Sequence, residues 1–333
     1  TLSSLYLGCL FLNYQKEIDG LRAIAVISII LFHLDVRGFS GGFVGVDVFF
    51  VISGYLITRL IKVEVSETQG FSYSRFYVRR ARRLFPSLFF TLCLSFIFAF
   101  LLFGPQDFQR FGGALIGSAS GLSNFYFWSE SGYFDASADI KPLLHVWSLS
   151  VEEQFYILWP VLIVFLLNKI SNHKQRLGLL IIGISSLLLN YVFTEGRTEI
   201  FTLFPPKVAH WFAVRPGFAD GPATIFYLVP FRVFEFVMGA ILVWLVHLRP
   251  KNKLTAEAFV LIGLAMIVYP VIQFTKDTLF PSYNALLPCF GAALIIHSGT
   301  TKYTSRLLNN QIAVGIGLIS YSLYLIHWPI IVW

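Results

Sequence analysis

Charged residues are scarce in this 333-residue sequence. Asp, Glu, Lys and Arg make up 13% of it, where a soluble domain carries about a quarter. Such scarcity excludes an ordinary water-soluble globule, and it excludes a chain kept disordered by its charge. Cysteine is also rare. Cys9, Cys93 and Cys289 stand far apart, so neither a disulfide framework nor a cysteine metal site is available, and no metal is expected. The short alternating segments of a membrane β-barrel are missing. Nor does the start read as a signal peptide, because Thr1–Leu12 is apolar but short and lacks a basic leading segment. No initiating Met precedes it, so trimming at this end is expected. No internal repeat is detectable.

What is abundant is apolar side chain: 56% of residues are hydrophobic, 35 of them Phe. Continuous apolar blocks such as 84–103 and 146–167 match the roughly 20 residues a spanning helix needs. The expected fold is therefore all-α, a polytopic membrane bundle of nine to ten helices. Candidate spans are 18–34, 43–61, 84–103, 146–167, 177–193, 224–246, 255–272, 284–298 and 312–333, with a weaker segment at 109–128. Residues 1–15 form a tail and 16–333 one membrane domain. The last span stops at Trp333 without a terminal loop, so the natural chain is expected to continue.

Lys and Arg concentrate on the cytoplasmic side of membrane proteins. Here 17 of the 25 basic residues fall at 16–22, 59–83, 169–176, 249–253 and 302–306. These clusters alternate consistently only if 109–128 does not cross. That segment holds Gly112, Gly113, Gly117, Gly121 and Asn124, poor composition for a lipid-exposed helix, and it reads as re-entrant or interfacial on the outer side. The chain is thus expected in an inner (cytoplasmic) membrane with its N-terminus cytoplasmic and its long loops, 104–145 and 194–223, outside. Those loops carry Pro205, Pro206, Pro216 and Pro222. No nucleic-acid partner is expected.

Ionisable residues inside spans are costly and are functional candidates by default. Arg22 and His33 are 11 residues apart, on nearly one helical face and about 16 Å apart along the axis. An anion binder would stand toward the inner end and a titratable base toward the outer. Equally, Arg22 could be a snorkelling anchor and His33 an interfacial residue. Asp47 follows a glycine-rich stretch (Gly41, Gly42, Gly45) and either orients His33 across the helix pair or caps and packs. Arg75, Arg79, Arg80, Arg82 and Arg83 precede the third span, as a topology determinant on anionic lipid or as a site for a phosphorylated ligand. His145, Ser148 and Glu152 share a stripe at i, i+3 and i+7 with Glu153 adjacent, which an outer polar cavity or a charge pair would explain. Arg232 and Glu235, at i and i+3, read as an internal ion pair, and His327 as structural.

Six segments in order carry a resemblance: EIDGLRAIAVISIILFH, GGFVGVDVFFVISGYLIT, RFYVRRARRLFP, HVWSLSVEEQFYILWP, FRVFEFVMGA and SYSLYLIHWP, between residues 16 and 329. Together they resemble the acyltransferase-3 family of integral membrane acyltransferases, which includes bacterial O-antigen acetylases. The resemblance implies a ten-helix domain that moves an acyl group, commonly acetyl, from cytoplasmic acyl-CoA to a sugar hydroxyl of an envelope glycan. No permanently bound cofactor is implied; acetyl-CoA is the donor substrate. The family's basic-residue–ten–His motif falls on Arg22 and His33, its arginine cluster on Arg79, Arg80, Arg82 and Arg83, and its acidic residue on Glu152. Many relatives continue into a periplasmic SGNH hydrolase-like domain, which is not in this chain.

On that footing the donor phosphates are expected at Arg79–Arg83 and the pantetheine arm past Arg22. His33 is the expected general base, with Asp47, Asp35 or Glu152 orienting it. Acceptor contacts are expected from His145, Trp147, Ser148 and Glu153. Direct transfer and an acyl-His intermediate remain alternatives. A non-enzymatic transporter or flippase of an envelope precursor is the rival class, and it would be expected to show a pair of alternating-access repeats.

Overall fold

The computed structural model describes residues 14–131, 140–194, 221–299 and 301–333, whose regular structure is all helix with no strand. Most of the 194–223 loop, with Pro205, Pro206 and Pro216, lies outside the described residues, as do Cys9 and most of the N-terminal tail. The helices in order are α1 (Lys16–His33), α2 (Gly45–Thr68), α3 (Tyr73–Leu102), α4 (Pro105–Ala119) and α5 (Ser123–Glu130). They continue as α6 (Val146–Lys169), α7 (Asn172–Thr194), α8 (Gly221–Tyr227), α9 (Val233–Ile241) and α10 (Lys253–Gln273). The last four are α11 (Leu286–Ser298), α12 (Ser305–Leu308), α13 (Gln311–Leu318) and α14 (Ser320–Val332).

Among the described residues, five helical segments are long and apolar enough to cross a membrane, and α13 with α14 makes a sixth if that bent pair is one span. The protein is a multi-pass helical bundle, but the expected count of nine to ten spans is not reached on length and composition. Two of the expected spans, 224–246 and 312–333, are broken, and 109–128, expected not to cross, is too short to do so. Region 109–128 is split into α4 and α5 by a turn at Gly121, whose φ of +70° suits glycine; at 15 and 8 residues neither half is long enough to span. Region 224–246 is not one helix either. Leu228 is extended and Pro230, which has no N–H to donate, sits in a 3-10 turn before α9. Region 312–333 bends by 70° between α13 and α14.

α2 is the central element, with 72% of its apolar window buried, whereas α7 has 22% buried and shows lipid a nearly continuous apolar surface. In a bilayer close helix contact depends on small residues rather than on the hydrophobic effect. Accordingly Gly54 of α2 and Gly239 of α9 face each other's backbones. A Cβ on either would sit 1.9 Å from a carbonyl oxygen of its neighbour, Phe236 or Val51.

The basic residues of 59–83, 169–176, 249–253 and 302–306 collect at one end of the bundle, where α2, α6 and α11 finish and α3, α7 and α10 begin. His33, α4, α5 and the start of α6 lie at the opposite end. The chain direction of α1 therefore carries Arg22 near the basic end and His33 to the other, as its spacing predicts.

Candidate active site

A cavity of about 640 Å³, partly open to the surface, runs between α1, α2, α3, α6 and α14. Three cations reach it, Arg22, Arg80 and Arg83, together with Ser53, Ser148, Glu152, Tyr156 and Tyr324. Arg80 and Arg83 stand at i and i+3 on α3, one exposed turn facing inward. Their neighbours Arg79 and Arg82 do not line the cavity. Arg79 instead donates to Glu64 at 3.3 Å on the surface, and Arg82 is exposed. Of the four expected donor arginines, then, two line the cavity and two do not.

Arg22 is tied to Asp19 at 3.1 Å, one turn earlier. The same carboxylate, chiefly by a hydrogen bond, raises the phenol of Tyr14 ahead of the helix to about 12. Arg80 lies over the ring of Tyr156, 4.8 Å from its centre. Glu152 accepts hydrogen bonds from Ser53 and from Tyr156 one turn along its own helix. The Ser148–Glu152 part of the sequence stripe thus lines the cavity, while Glu153 points away against Gly121.

At the far end of this cavity Tyr324 connects to a histidine cluster. Its hydroxyl lies 2.6 Å from Ser148 Oγ and donates to the His145 carbonyl at 2.9 Å. Three residues on, His327 contacts both His33 and His145, with ring centres 5.1 and 5.4 Å away. His33 Nδ1 is 2.9 Å from His327 Nε2, and His327 Nδ1 is 2.6 Å from the Tyr324 carbonyl. Donor logic orders these protons when both rings are neutral. A carbonyl only accepts, so His327 holds its proton on Nδ1 and offers Nε2 as an acceptor. His33 must then donate from Nδ1, which leaves its Nε2 as the unprotonated nitrogen. Trp328 packs on the His33 ring at 4.6 Å.

Several expected partners lie elsewhere. His33 is not on the cavity wall with Arg22; Tyr324 and His327 link the two. Asp47 does not orient His33, because its Oδ1 accepts from Arg232 Nη1 at 3.0 Å, as does Oε1 of Glu235 at 3.0 Å. This cluster is wholly enclosed, with the three side chains 0–1% exposed and the guanidinium ringed by Trp147, Phe226 and Phe280. The expected Arg232–Glu235 pair is present, and Trp147 belongs to this cluster rather than to the cavity. Asp35 is exposed in a left-handed turn just past α1, and among the described residues no hydrogen bond joins it to His33. His145 is buried, its Nε2 donating to the Leu325 carbonyl at 2.9 Å. Ligand atoms of Asp47, Glu235 and Cys289 lie within 4.8 Å of one another, close enough for a metal, but Arg232 already supplies the cation both carboxylates bind.

His327, expected from the sequence to be structural, is the residue that meets His33. The signal was available, since a histidine in an apolar helix is as costly as His33. Its partner, 294 residues away, was not.

A family profile described as an acyltransferase domain matches residues 15–333. The chain is 31% identical over 330 residues to a peptidoglycan O-acetyltransferase, OatA, of Listeria monocytogenes, covering 96% of this chain and 50% of that protein. It is 34% identical over 325 residues to the O-acetyltransferase OatA of Staphylococcus aureus, covering 96% and 51%. With a putative peptidoglycan O-acetyltransferase, YrhL, of Bacillus subtilis it shares 28% over 340 residues, covering 96% and 49%. The chain spans about half the length of these curated relatives. No solved structure matches it. Six ordered motifs, a bundle of apolar helices and a profile match over nearly the whole length agree: the chain belongs to the acyltransferase-3 family.

Proposed function

We propose that this protein is a membrane O-acetyltransferase that takes acetyl from acetyl-CoA at the basic end and delivers it to a sugar hydroxyl at the opposite end. The observation that carries the reading is a cation-lined cavity whose far wall is hydrogen-bonded to a histidine cluster. Arg80, Arg83 and Arg22 open a cavity whose far wall, Tyr324, is joined through His327 to His33. Guanidinium groups suit the phosphates of a CoA ester, and the basic end is the expected cytoplasmic side. The relatives' names favour a peptidoglycan sugar as acceptor over O-antigen.

In the proposed step His33 Nε2 takes the proton of the sugar hydroxyl as its oxygen bonds to the acetyl carbonyl carbon. The C–S bond then breaks, and the CoA thiolate leaves with the proton returned from His33. Arg22, about 16 Å along α1 from His33, would hold the donor's anionic part. His327 acts through His33, holding the tautomer that leaves Nε2 free.

The test follows labelled acetyl from acetyl-CoA to isolated cell-wall glycan, using purified protein in lipid nanodiscs. His33→Ala is expected to lower turnover about 10²–10⁴-fold, the usual reach of general-base catalysis. His327→Ala should cost less, and His327→Gln, whose amide oxygen can accept from His33, should recover part of that loss. Normal turnover by folded His33→Ala would remove His33 from the chemistry.

A further inference from the structure

We infer that a second cleft, at the His33 end of the bundle, is an acceptor subsite for a glycan unit bearing a carboxylate. This rests on the acetyltransferase reading and adds to it where, and by what groups, the acceptor is held. The cleft has a volume of about 350 Å³ and lies between α4, α5 and the segment leading into α6. Asp107, Arg110 and Phe111 come from α4, Tyr126 and Glu130 from α5, and Lys141 from the connecting segment.

Three observations favour this cleft. First, it adjoins the proposed base. Trp328 Nε1 donates to the Lys141 carbonyl at 2.9 Å, and the Trp328 ring rests on His33 at 4.6 Å. The segment Ile140–His145 therefore lines the cleft at its start and meets the histidine cluster at its end. Second, the lining has the groups that recognise sugars. Carboxylates of Asp107 and Glu130 can accept from sugar hydroxyls, aromatic surface from Tyr126 can meet a ring face, and Arg110 can engage a carboxylate bidentately. Third, the wall is held in place. The Tyr126 hydroxyl lies 2.8 Å from both the Arg110 carbonyl and the Glu130 carboxylate, so its one proton serves either. Burial, then the Glu130 hydrogen bond, raise the Tyr126 pKa, which keeps the phenol a donor. α4 and α5 are thereby clasped across the Gly121 turn.

The position is also chemically consistent. Donor cations sit at the basic end of α3 and the cleft just beyond its other end, reached through Gly104. Donor and acceptor would then approach His33 from opposite sides of the bundle, which a transfer across the membrane needs.

The experiment measures binding by calorimetry to the full chain in nanodiscs, without donor. The probes are a soluble tetrasaccharide of N-acetylated amino sugars bearing lactyl carboxylates, and the same compound with those carboxylates amidated. Arg110→Gln is expected to weaken the carboxylate form about tenfold or more, the effect of one charge-assisted contact, and to change the amidated form little. Asp107→Asn should weaken both probes to a similar degree, and both variants should raise the acceptor KM in the transfer assay. Wild-type affinity for both probes in both folded variants overturns the subsite, as does failure of the wild type to bind either probe. If the wild type binds but transfers no acetyl, the acetyltransferase reading fails and the subsite stands. If transfer proceeds with unchanged KM in the variants, the reverse holds.

Discussion

Two groups of arginines and carboxylates lie in this bundle, and they differ in one respect. In the Asp47–Arg232–Glu235 cluster one guanidinium binds both carboxylates, and all three side chains are sealed from solvent. In the cavity, Arg80 and Arg83 face an opening, and among the described residues only Arg22 is in a salt bridge, with Asp19. The residue types are alike; what separates them is whether space for a ligand is left in front of the cation. A closed cluster fixes helix register, because a buried charge tolerates no misplacement of its partner. An open set of cations offers charge to something that is not part of the chain.

The largest effect in this comparison is expected from Arg232→Met. Two buried carboxylates would lose their cation, and breaking such a buried pair costs about 3–5 kcal/mol. A lowered thermal midpoint and poor recovery of the purified protein would be the readout. Replacing Asp47 and Glu235 by apolar residues in the same variant should restore much of that loss. If Arg232→Met alone melts like the wild type, the register role is wrong.

Arg80→Ala with Arg83→Ala should leave the melting point near normal while weakening acetyl-CoA binding about 10–100-fold, as two charged hydrogen-bonding partners of a phosphate are lost. Equilibrium binding of acetyl-CoA decides this, and unchanged affinity would reduce the pair to topology. The smallest effect belongs to Arg79→Ala with Arg82→Ala. Arg79 pairs with Glu64 at the surface, and such pairs contribute about 0–1 kcal/mol. Donor affinity should change less than about threefold. A large loss here would mean that the cluster acts as a whole.

Much of the molecule is legible in its residues. The blocks at 84–103 and 146–167 became α3 and α6 because a run of that length in lipid has no other way to satisfy its backbone. Ser148 and Glu152 share a cavity wall because four residues is close to one turn. The breaks were harder to read. Region 224–246 looks continuous in hydropathy, and only the local geometry around Pro230 divides it. Nothing near Asp47 in the sequence points to its partner, Arg232, 185 residues away.

The sequence by itself thus determined the solvent, the all-helical class, the end at which cations gather and the set of costly polar residues. Each of these depends on composition or on spacing within one helix. Only the tertiary structure decided which of those residues meet. It placed His327 against His33, enclosed Asp47 with Arg232, split the arginine cluster in two and set a polar cleft beside Trp328. Those pairings join helices far apart in the chain, and helical periodicity specifies which face a residue occupies but not which helix will cover it.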